Sequence, residues 1–356
     1  MRPIYLDHNA TTRPDDAVVD AMIESLREGW ANPSSVHRAG QAVRHRMELA
    51  RESVATLLNC RGRDIVFTSG GSEATNMTMR SLADQHPTRK VIVSTRAEHS
   101  ATRETIEALA ETRGIEPVWL PLTSDGVADV DALRDLLSAR ANEILLVSVM
   151  WANNEVGVIS PIDELGALCR EHGVLFHTDA VQAIGKLPID LSESPVDFVS
   201  LAAHKFQGPK GIGALYIRRG LKLAPQITGG PHERDRRGGT ENTPGIVGFG
   251  VACDIARTWL ADSSKLAEQA ALRDDLQMKL CARFPDAVVH GKDAPRLWTT
   301  LNIGFPRLEA GITLREVLGH SLDRWITVIQ RRQDAGGQEA IEGLLGALVG
   351  VAHKVG

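Results

Sequence analysis

Seven short apolar runs, separated by stretches with helical spacing, constrain the fold of this 356-residue chain more than any other feature. The runs lie near residues 65–68, 91–94, 117–120, 144–149, 174–178, 197–201 and 214–217. Strands buried on both faces read as continuous apolar runs, and their alternation with helices is typical of a mainly parallel sheet covered by helices. The sequence therefore predicts an α/β fold built on a mainly parallel, seven-stranded sheet.

The size of the chain predicts two domains around this sheet. With 43% hydrophobic residues it can bury a large core. A large domain is expected over residues 15–244. A smaller α+β domain is expected from residues 1–14 and 245–356, with the boundary near Pro244, where a helix starts. Apolar positions three and four apart predict further helices over residues 34–58 and 341–349.

Charge and cysteine content exclude several functional classes. The net charge of −5 disfavours nonspecific nucleic-acid binding, and the arginines of residues 232–237 alternate with acids, which favours a turn that lines a site or an interface. No apolar run is as long as a membrane span, and no basic-then-apolar leader is present. Four dispersed cysteines predict neither a disulfide framework nor a zinc site. We expect a cytoplasmic protein.

Lys205 is the first candidate for chemistry. It follows the apolar run at 197–201 and precedes a glycine-rich turn, Gly208-Pro-Lys-Gly-Ile-Gly213. A lysine at the carboxyl end of a buried strand can form a Schiff base with pyridoxal phosphate (PLP). Alone, a His-Lys pair at the end of a strand more often belongs to a solvated loop.

Two further segments strengthen the interpretation. Asp179 follows the run at 174–178 and can hold the pyridine nitrogen of PLP protonated, while Gln182 can reach the ring hydroxyl. The run at 65–68 leads through Gly70-Gly-Ser72 into a helix whose first amides and Ser72 hydroxyl are free to bind phosphate. Together, the three segments predict a PLP site.

The chain resembles the class V, fold-type I PLP enzymes, and among them the cysteine desulfurases of nitrogenase maturation and iron–sulfur assembly. The resemblance covers most of the chain and depends on these segments: Tyr5-Leu-Asp-His-Asn-Ala-Thr-Thr12, Asn32-Pro-Ser-Ser35, Phe67-Thr-Ser-Gly-Gly-Ser-Glu73, Ala97-Glu-His99, Asn153-Asn-Glu-Val-Gly157, the segments around Asp179 and Lys205, Gly229-Gly230 and residues 236–248. It implies sulfur mobilisation from L-cysteine or a related amino acid.

The resemblance also implies roles for single residues. Lys205 would hold the cofactor and later act as general base, and His99 would stack on the pyridine ring and relay protons. Asn154 would lie near the ring oxygen and the substrate carboxylate. Gly71, Ser72 and His204 match phosphate-side positions. Thr240 resembles a threonine that reaches the phosphate from the neighbouring subunit, which implies a homodimer with shared sites and, by analogy, a possible sulfur-acceptor protein.

Several positions depart from the family pattern. Ala202 stands where a serine hydroxyl usually contacts the phosphate. The pattern can be followed through Leu301-Asn-Ile-Gly-Phe-Pro306 to Glu309 and then fails. Gly319 takes the place of the arginine that binds the substrate carboxylate, and Arg324, Arg331 or Arg332 can replace it only if the chain follows a different path. The expected loop with a catalytic cysteine is missing, since none of Cys60, Cys169, Cys253 and Cys281 matches it.

These departures leave three hypotheses open. The favoured one is a PLP enzyme of the cysteine desulfurase type. A variant is a PLP lyase that releases sulfide directly and needs no protein thiol. The third is a PLP-binding scaffold without activity, which dimerises or docks sulfur-assembly partners.

Overall fold

The computed structural model describes residues 7–305 and is built on a seven-stranded sheet in the order β1-β7-β6-β5-β4-β2-β3. Strand β7 is antiparallel to both of its neighbours, and the other six strands run parallel to one another. The strands are β1 (Ile65–Thr68), β2 (Val91–Thr95), β3 (Glu116–Leu120), β4 (Ile144–Ser148), β5 (Leu175–Asp179), β6 (Phe198–Ala202) and β7 (Gly213–Ile217). The predicted α/β class and mainly parallel sheet are confirmed.

Eight α-helices surround the sheet in the described part of the chain. They are α1 (Asp16–Glu28), α2 (Arg38–Leu57), α3 (Gly71–Gln85), α4 (Ser100–Arg113), α5 (Val130–Arg140), α6 (Ile162–Glu171), α7 (Thr243–Leu260) and α8 (Ser263–Arg283). Short 3-10 turns lie at Gly62–Asp64 and Ala203–Lys205, and a two-stranded ribbon joins β8 (Val288–Val289) to β9 (Ile303–Gly304). Helices α3 to α6 connect the strands from β1 to β5, and this alternation gives the parallel arrangement.

The helices form one layer on each face of the sheet. Helices α3 and α4 pack on one face through side chains such as Met79 and Ile106, while α2, α5, α6 and α7 cover the other through side chains such as Val54 and Phe249. Alternate strand residues point to opposite layers, as Ile65 and Val66 do. Both faces are buried, so the strands read as uninterrupted apolar runs.

The helix predicted over residues 34–58 begins later than expected. Helix α2 starts at Arg38, after the His37 ring accepts a hydrogen bond from the Gly40 amide at 3.3 Å. Val36, which fits the apolar spacing, is 92% exposed and lies before the helix. A helix cap therefore sets this boundary, and the hydrophobic period does not.

The predicted domain boundary near Pro244 falls in the first turn of α7, which begins at Thr243; the division into two domains stays a prediction. The helix expected over residues 341–349, and Gly319, Arg324, Arg331 and Arg332, lie outside the described residues. Within residues 7–305, no helix has the length and apolarity that a membrane crossing requires, and no cluster of potential metal ligands is found.

Candidate functional site

The candidate site lies at one edge of the sheet. Five parallel strands, β1, β2, β4, β5 and β6, end at this edge, and each is followed or completed by residues that the sequence singled out. These residues are Gly71, Ser72, His99, Asn154, Asp179, Gln182, His204 and Lys205. Ligands of open parallel sheets bind at the carboxyl ends of the strands. The sheet therefore brings eight of the nine predicted site residues to one edge.

Asp179 is the last residue of β5 and is 6% exposed. Its Oδ1 accepts a hydrogen bond from the Val181 amide at 3.0 Å. Burial raises the pKa of this carboxyl, while the Val181 amide and the charges of His99 and Lys205 lower it. A cation held against Asp179 would therefore favour its ionised form, which suits a protonated pyridine nitrogen.

A chain of buried polar side chains supports the strand that carries Asp179. The His177 ring lies 2.8 Å from the Ser148 hydroxyl on β4 and 2.9 Å from the Ser200 hydroxyl on β6. Ser200 in turn lies 3.0 Å from the Thr75 hydroxyl of α3. Burial lowers the pKa of His177 to about 3, so the ring is neutral. These hydrogen bonds therefore hold β4, β5, β6 and α3 together without burying a charge.

Lys205 ends the 3-10 turn after β6 and extends towards the segment at residues 7–12. Its Nζ donates to the carbonyl oxygens of Asn9 at 2.8 Å and Ala10 at 2.9 Å. Burial lowers the pKa of the amine, and Asp179 and Asp7 oppose this effect. A lysine whose charged form is disfavoured is suited to nucleophilic and base chemistry.

Gln182 is buried three residues after Asp179. Its Nε2 donates to the Asn9 carbonyl at 2.8 Å, and its Oε1 accepts from Lys186 Nζ at 2.5 Å. Burial, together with the charge of Lys205, lowers the pKa of Lys186 to about 7. The side chain of Asn9 continues this network, because it donates to the carbonyl of Asn154 at 3.2 Å.

A cavity of about 340 Å³ adjoins Lys205 and Lys186. The segment around Asn9 lines it on one side, and the indoles of Trp259 and Trp298, with ring centres 6.1 Å apart, contribute apolar surface. The volume falls within the range of small-molecule sites.

The start of α3 is the predicted phosphate side of the site. A Cβ atom on Gly71 would lie 2.5 Å from Cγ2 of Val181, so only glycine allows the helix to approach the loop after Asp179 this closely. Ser72, in the first turn of α3, is exposed. Amides at a helix start and a serine hydroxyl together can bind a phosphate.

His204 and Ala202 lie at the end of β6. The His204 ring is 3.1 Å from the Thr11 hydroxyl, and burial, followed by the charges of Lys205 and Lys210, lowers its pKa to about 4. Ala202 is 2% exposed, and its methyl group would lie 3.9 Å from a Cβ on Gly71. This position can supply no hydroxyl to a phosphate, so hydrogen bonds there depend on the neighbouring groups.

His99 and Asn154 lie in the loops after β2 and β4. His99 caps helix α4, since its Nδ1 accepts from the Ala101 amide at 3.0 Å, and the residue is exposed. That bond leaves Nε2 as the proton-bearing nitrogen of the neutral ring. The capping interpretation and the functional one are thus compatible, because the cap orients a ring whose face is open.

Thr240 is the ninth predicted site residue, and it does not follow the carboxyl end of any of these five strands. It is exposed in the turn before α7. Upstream, Arg51 of α2 forms a bidentate pair with Glu233, with bonds of 2.7 and 2.8 Å, and Glu233 also accepts the Phe67 amide at 2.8 Å. A second pair, Arg237 with Glu73, joins the segment to α3 at 2.8 Å.

The backbone of this turn is unusual. Glu233, Arg234 and Asp235 have φ angles of 47°, 59° and 64°, in the left-handed region that favours glycine. Three such residues in succession persist only where the surroundings hold them, and the Arg51 pair with Glu233 does so here.

The four cysteines are poor candidates for carrying sulfur. Cys169 and Cys253 are buried within α6 and α7, and burial raises the pKa of both thiols. Burial raises the pKa of Cys60 to about 12. Cys281 lies near the end of α8 and is half-buried. Thiols react as thiolates, so the three with raised pKa values are unreactive at neutral pH.

Sequence reasoning assigned no role to Asn9, Glu98 or Lys186. Each lies next to or within a motif that carries the family resemblance, but their contacts join residues far apart in the chain. For Lys186, the signal was its spacing of four from Gln182. Asn9 and Glu98 gave no periodic signal.

The chain is similar to several known proteins. Residues 4–327 match the family described as aminotransferase class-V. A cysteine desulfurase of Sinorhizobium fredii is 44% identical over 306 residues, covering 86% of this chain and 78% of that protein. A solved NifS-like protein superposes with a TM-score of 0.83 at 35% identity, covering 96% of this chain and 89% of that one. The structure of SspA in complex with cysteine superposes with a TM-score of 0.78 at 30% identity, covering 97% of this chain and 94% of that one.

The predicted resemblance and the predicted cofactor are confirmed by these matches. With Lys205, Asp179 and the start of α3 at one sheet edge, the chain belongs to the aminotransferase class-V family and is a PLP-dependent enzyme of the cysteine desulfurase type.

Proposed function

We propose that this enzyme binds L-cysteine, or a closely related amino acid, beside Lys205 and cleaves its carbon–sulfur bond. The observation that carries this proposal is the carboxyl edge of the sheet, where buried Asp179 interacts electrostatically with both Lys205 and His99. The names of the relatives, and the cysteine bound in the SspA structure, support cysteine as the substrate.

The residues fit PLP. When bound, PLP supplies an electron-withdrawing ring that stabilises negative charge at the substrate's α-carbon. Asp179 would hold the ring nitrogen, Gln182 and Asn154 would lie on the ring-oxygen side, and Gly71, Ser72 and His204 would hold the phosphate. The close approach of Gly71 to Val181, which requires the absence of a Cβ, brings the start of α3 beside the loop after Asp179 and supports this assignment.

Lys205 would attach the cofactor and move protons. Burial lowers the pKa of its amine, which favours the neutral form that can accept a proton from the substrate. His99, with its Nδ1 occupied by the Ala101 amide, would offer Nε2 for relay.

We further propose that none of the four cysteines accepts the sulfur. With an external thiol as acceptor, sulfur transfer would leave alanine and a persulfide on that thiol. By direct elimination, cysteine would lose hydrogen sulfide, and the remaining fragment would hydrolyse to pyruvate and ammonia. The buried thiols favour these two routes over a persulfide on Cys60, Cys169 or Cys253.

A purified protein tests the function directly. Incubated with PLP, it should turn yellow, and borohydride should fix the cofactor on Lys205. With L-cysteine and dithiothreitol it should form alanine or pyruvate, together with sulfide. Lys205→Ala should abolish both colour and product, while Lys210→Ala, an exposed lysine in the following turn, should not. A wild-type protein that binds PLP and forms no product would be the silent scaffold.

The cysteines are tested by replacing all four with alanine. Product formation should survive if the fold, followed by circular dichroism, is intact. Stoichiometric added sulfur on one of them by mass spectrometry, with turnover lost on its single replacement, would show that the chain carries a persulfide itself.

We also propose a homodimer in which Thr240 reaches the partner's phosphate, a cytoplasmic location, and a sulfur-acceptor protein as partner. The exposed position of Thr240, on a turn firmly anchored to α2 and α3, supports a contact made outward. A specific interface should bury more than roughly 1,000 Å². Light scattering at micromolar concentration that gave a monomer would contradict the dimer.

A further inference from the structure

Glu98 is a buried carboxyl next to His99 for which the proposed chemistry has no use. It lies in the loop between β2 and α4 and is 4% exposed. Glutamate is rarely this buried without a cation, so its position calls for a physical explanation.

The Glu98 side chain connects two loops of the site. Its Oε1 accepts a hydrogen bond from the Met150 amide, after β4, at 2.9 Å. The same oxygen accepts from the Thr95 hydroxyl, at the end of β2, at 3.1 Å. The Thr95 oxygen accepts the Ala97 amide at 3.2 Å. The loop that carries His99 is therefore folded around Glu98 and joined to the loop that carries Asn154.

Asn153 makes a second connection in the opposite direction. Its Nδ2 donates to the Ala97 carbonyl at 2.9 Å, and its Oδ1 accepts the amides of Glu155 and Val156 at 2.8 and 2.9 Å. Asn154 lies within the turn that these last two bonds close. Side chains of each loop thus bind the backbone of the other.

The carboxyl makes these contacts without a counter-ion. Oε2 has no hydrogen-bond partner within residues 7–305, and no ion pair of Glu98 is found there. Burial raises the pKa of Glu98 to about 8, the Met150 amide lowers it, and the nearby carboxyl of Asp179 raises it. The group is therefore mainly protonated at neutral pH. It can lie near Asp179 without adding a second negative charge.

We propose that Glu98 is a positioning residue for this reaction: its carboxyl, together with Asn153, fixes the His99 loop against the Asn154 loop. The proposal rests on the proposed function for what the two loops hold, the cofactor ring and the substrate. It predicts that Glu98 acts through its geometry and that its negative charge is dispensable.

Three variants and a control test this role through the bound cofactor as well as through turnover. The variants are Glu98→Ala, Glu98→Gln and Asn153→Ala, and the control is Glu104→Ala, an exposed carboxylate on α4. The readouts are the dissociation constant for PLP, the visible circular dichroism of bound PLP, and kcat and KM with L-cysteine. The circular dichroism reports how the ring is held, and loss of the fold alone would not shift it in a protein that still binds PLP.

Glu98→Ala should weaken PLP binding, alter the circular dichroism and lower kcat by about 100-fold, the cost of a misplacement near 1 Å. Asn153→Ala should move the spectrum in the same direction. Glu98→Gln keeps a neutral group and an oxygen for the Met150 amide, so it should stay close to wild type, as should the control.

A folded Glu98→Ala protein with wild-type spectrum and affinity would overturn the proposal. So would a Glu98→Gln protein as impaired as Glu98→Ala, because the charge would then be required. If Glu98→Ala does not fold, the circular dichroism of the other two variants tests the proposal. An altered spectrum is expected for Asn153→Ala, and a spectrum close to wild type is expected for Glu98→Gln. If the wild-type protein binds PLP but does not act on cysteine, the proposed function is wrong. The visible circular dichroism of bound PLP would still test the positioning role of Glu98.

Discussion

Glu98 and Glu233 are two buried glutamates near the site that are accommodated in opposite ways. Glu233 is fixed by the guanidinium of Arg51 in a bidentate pair and by the Phe67 amide. Glu98 receives one amide and one hydroxyl on a single oxygen, and no cation pairs with it among residues 7–305. A charge can be buried if its counter-ion is buried with it, and a carboxyl without one is buried by keeping its proton.

The two solutions suit what each segment carries. The Glu233 turn lies on the far side of β1 from Asp179, where an ion pair can hold a strained backbone. The Glu98 loop lies near Asp179, whose negative charge would hold the pyridine nitrogen in the proposed site. A permanent charge on Glu98 would compete for the same cation, so a neutral carboxyl is the better fixing group there.

The largest expected effect comes from removing the cation of the paired site. Arg51→Ala leaves the Glu233 charge buried, and breaking such a pair should cost about 3–5 kcal/mol in the free energy of unfolding. Urea unfolding of the protein measures this cost. Arg134→Ala, which removes an exposed arginine 3.6 Å from Asp131, is the control and should change little. Equal effects of the two replacements would remove the basis of the comparison.

The same chemical change at the two glutamates should give different results. Glu233→Gln loses the charge that pairs with Arg51 and should cost about 2–3 kcal/mol. Glu98→Gln at pH 7 should stabilise the fold, because glutamine needs no proton, whereas the Glu98 carboxyl must take one up when the chain folds at this pH. Both values come from urea unfolding under the same conditions. A larger loss for Glu98→Gln than for Glu233→Gln would reverse the assignment of the charges.

Raising the pH should weaken the wild-type fold through Glu98. Its pKa in the folded state is about 8, above the ordinary 4.5, so the folded protein binds more protons between these values. Stability contributed by the protonated form is complete below about 4.5 and is lost as the pH rises towards 8, at up to about 1.4 kcal/mol per pH unit.

Comparison of wild type with Glu98→Gln between pH 5 and 8 isolates this term, since other titrating groups are shared. Asp179 on β5 faces Glu98, and burial also raises the pKa of Asp179. Both proteins contain Asp179, so the difference between their stability curves removes its contribution. Parallel stability curves for the two proteins would contradict a raised pKa at Glu98.

The smallest expected effect concerns the threonine that follows the Glu233 turn. Thr240→Ala should raise the PLP dissociation constant by about fivefold to tenfold, the value of roughly one hydrogen bond of 1 kcal/mol. Thr228→Ala, an exposed threonine on the same segment, is the control. An unchanged affinity in Thr240→Ala would remove the phosphate role and leave the turn without a known link to the site.

The sheet could be predicted from the sequence almost residue by residue. All seven predicted runs coincide with observed strands to within about one residue at each end, because strands buried on both faces leave uninterrupted apolar runs. The PLP site could be predicted because Lys205, Asp179 and Ser72 each lie within four residues of the end of such a run.

The supporting contacts could not be predicted in this way. Arg51 and Glu233 are 182 positions apart, and Lys205 meets the Asn9 carbonyl over 196 positions. Polar pairs of this kind have no period, and their partners are fixed only when the sheet has formed. Residues 232–237 were expected to line a site or an interface from their mixed charge, but the burial of Glu233 among them was not apparent from composition.

The left-handed run at Glu233, Arg234 and Asp235 makes this turn a convenient place for protein engineering. Of these three residues, only Glu233 is buried. Arg234 and Asp235 are exposed, and Arg234 forms a surface ion pair with Glu48, so burial does not offset the strained backbone at these two positions. Glycine at position 235 adopts this conformation without steric cost, whereas valine or isoleucine there would add roughly 1–2 kcal/mol of strain. A more thermostable form of the enzyme can therefore be sought at two surface positions, with every group that handles substrate left as it is.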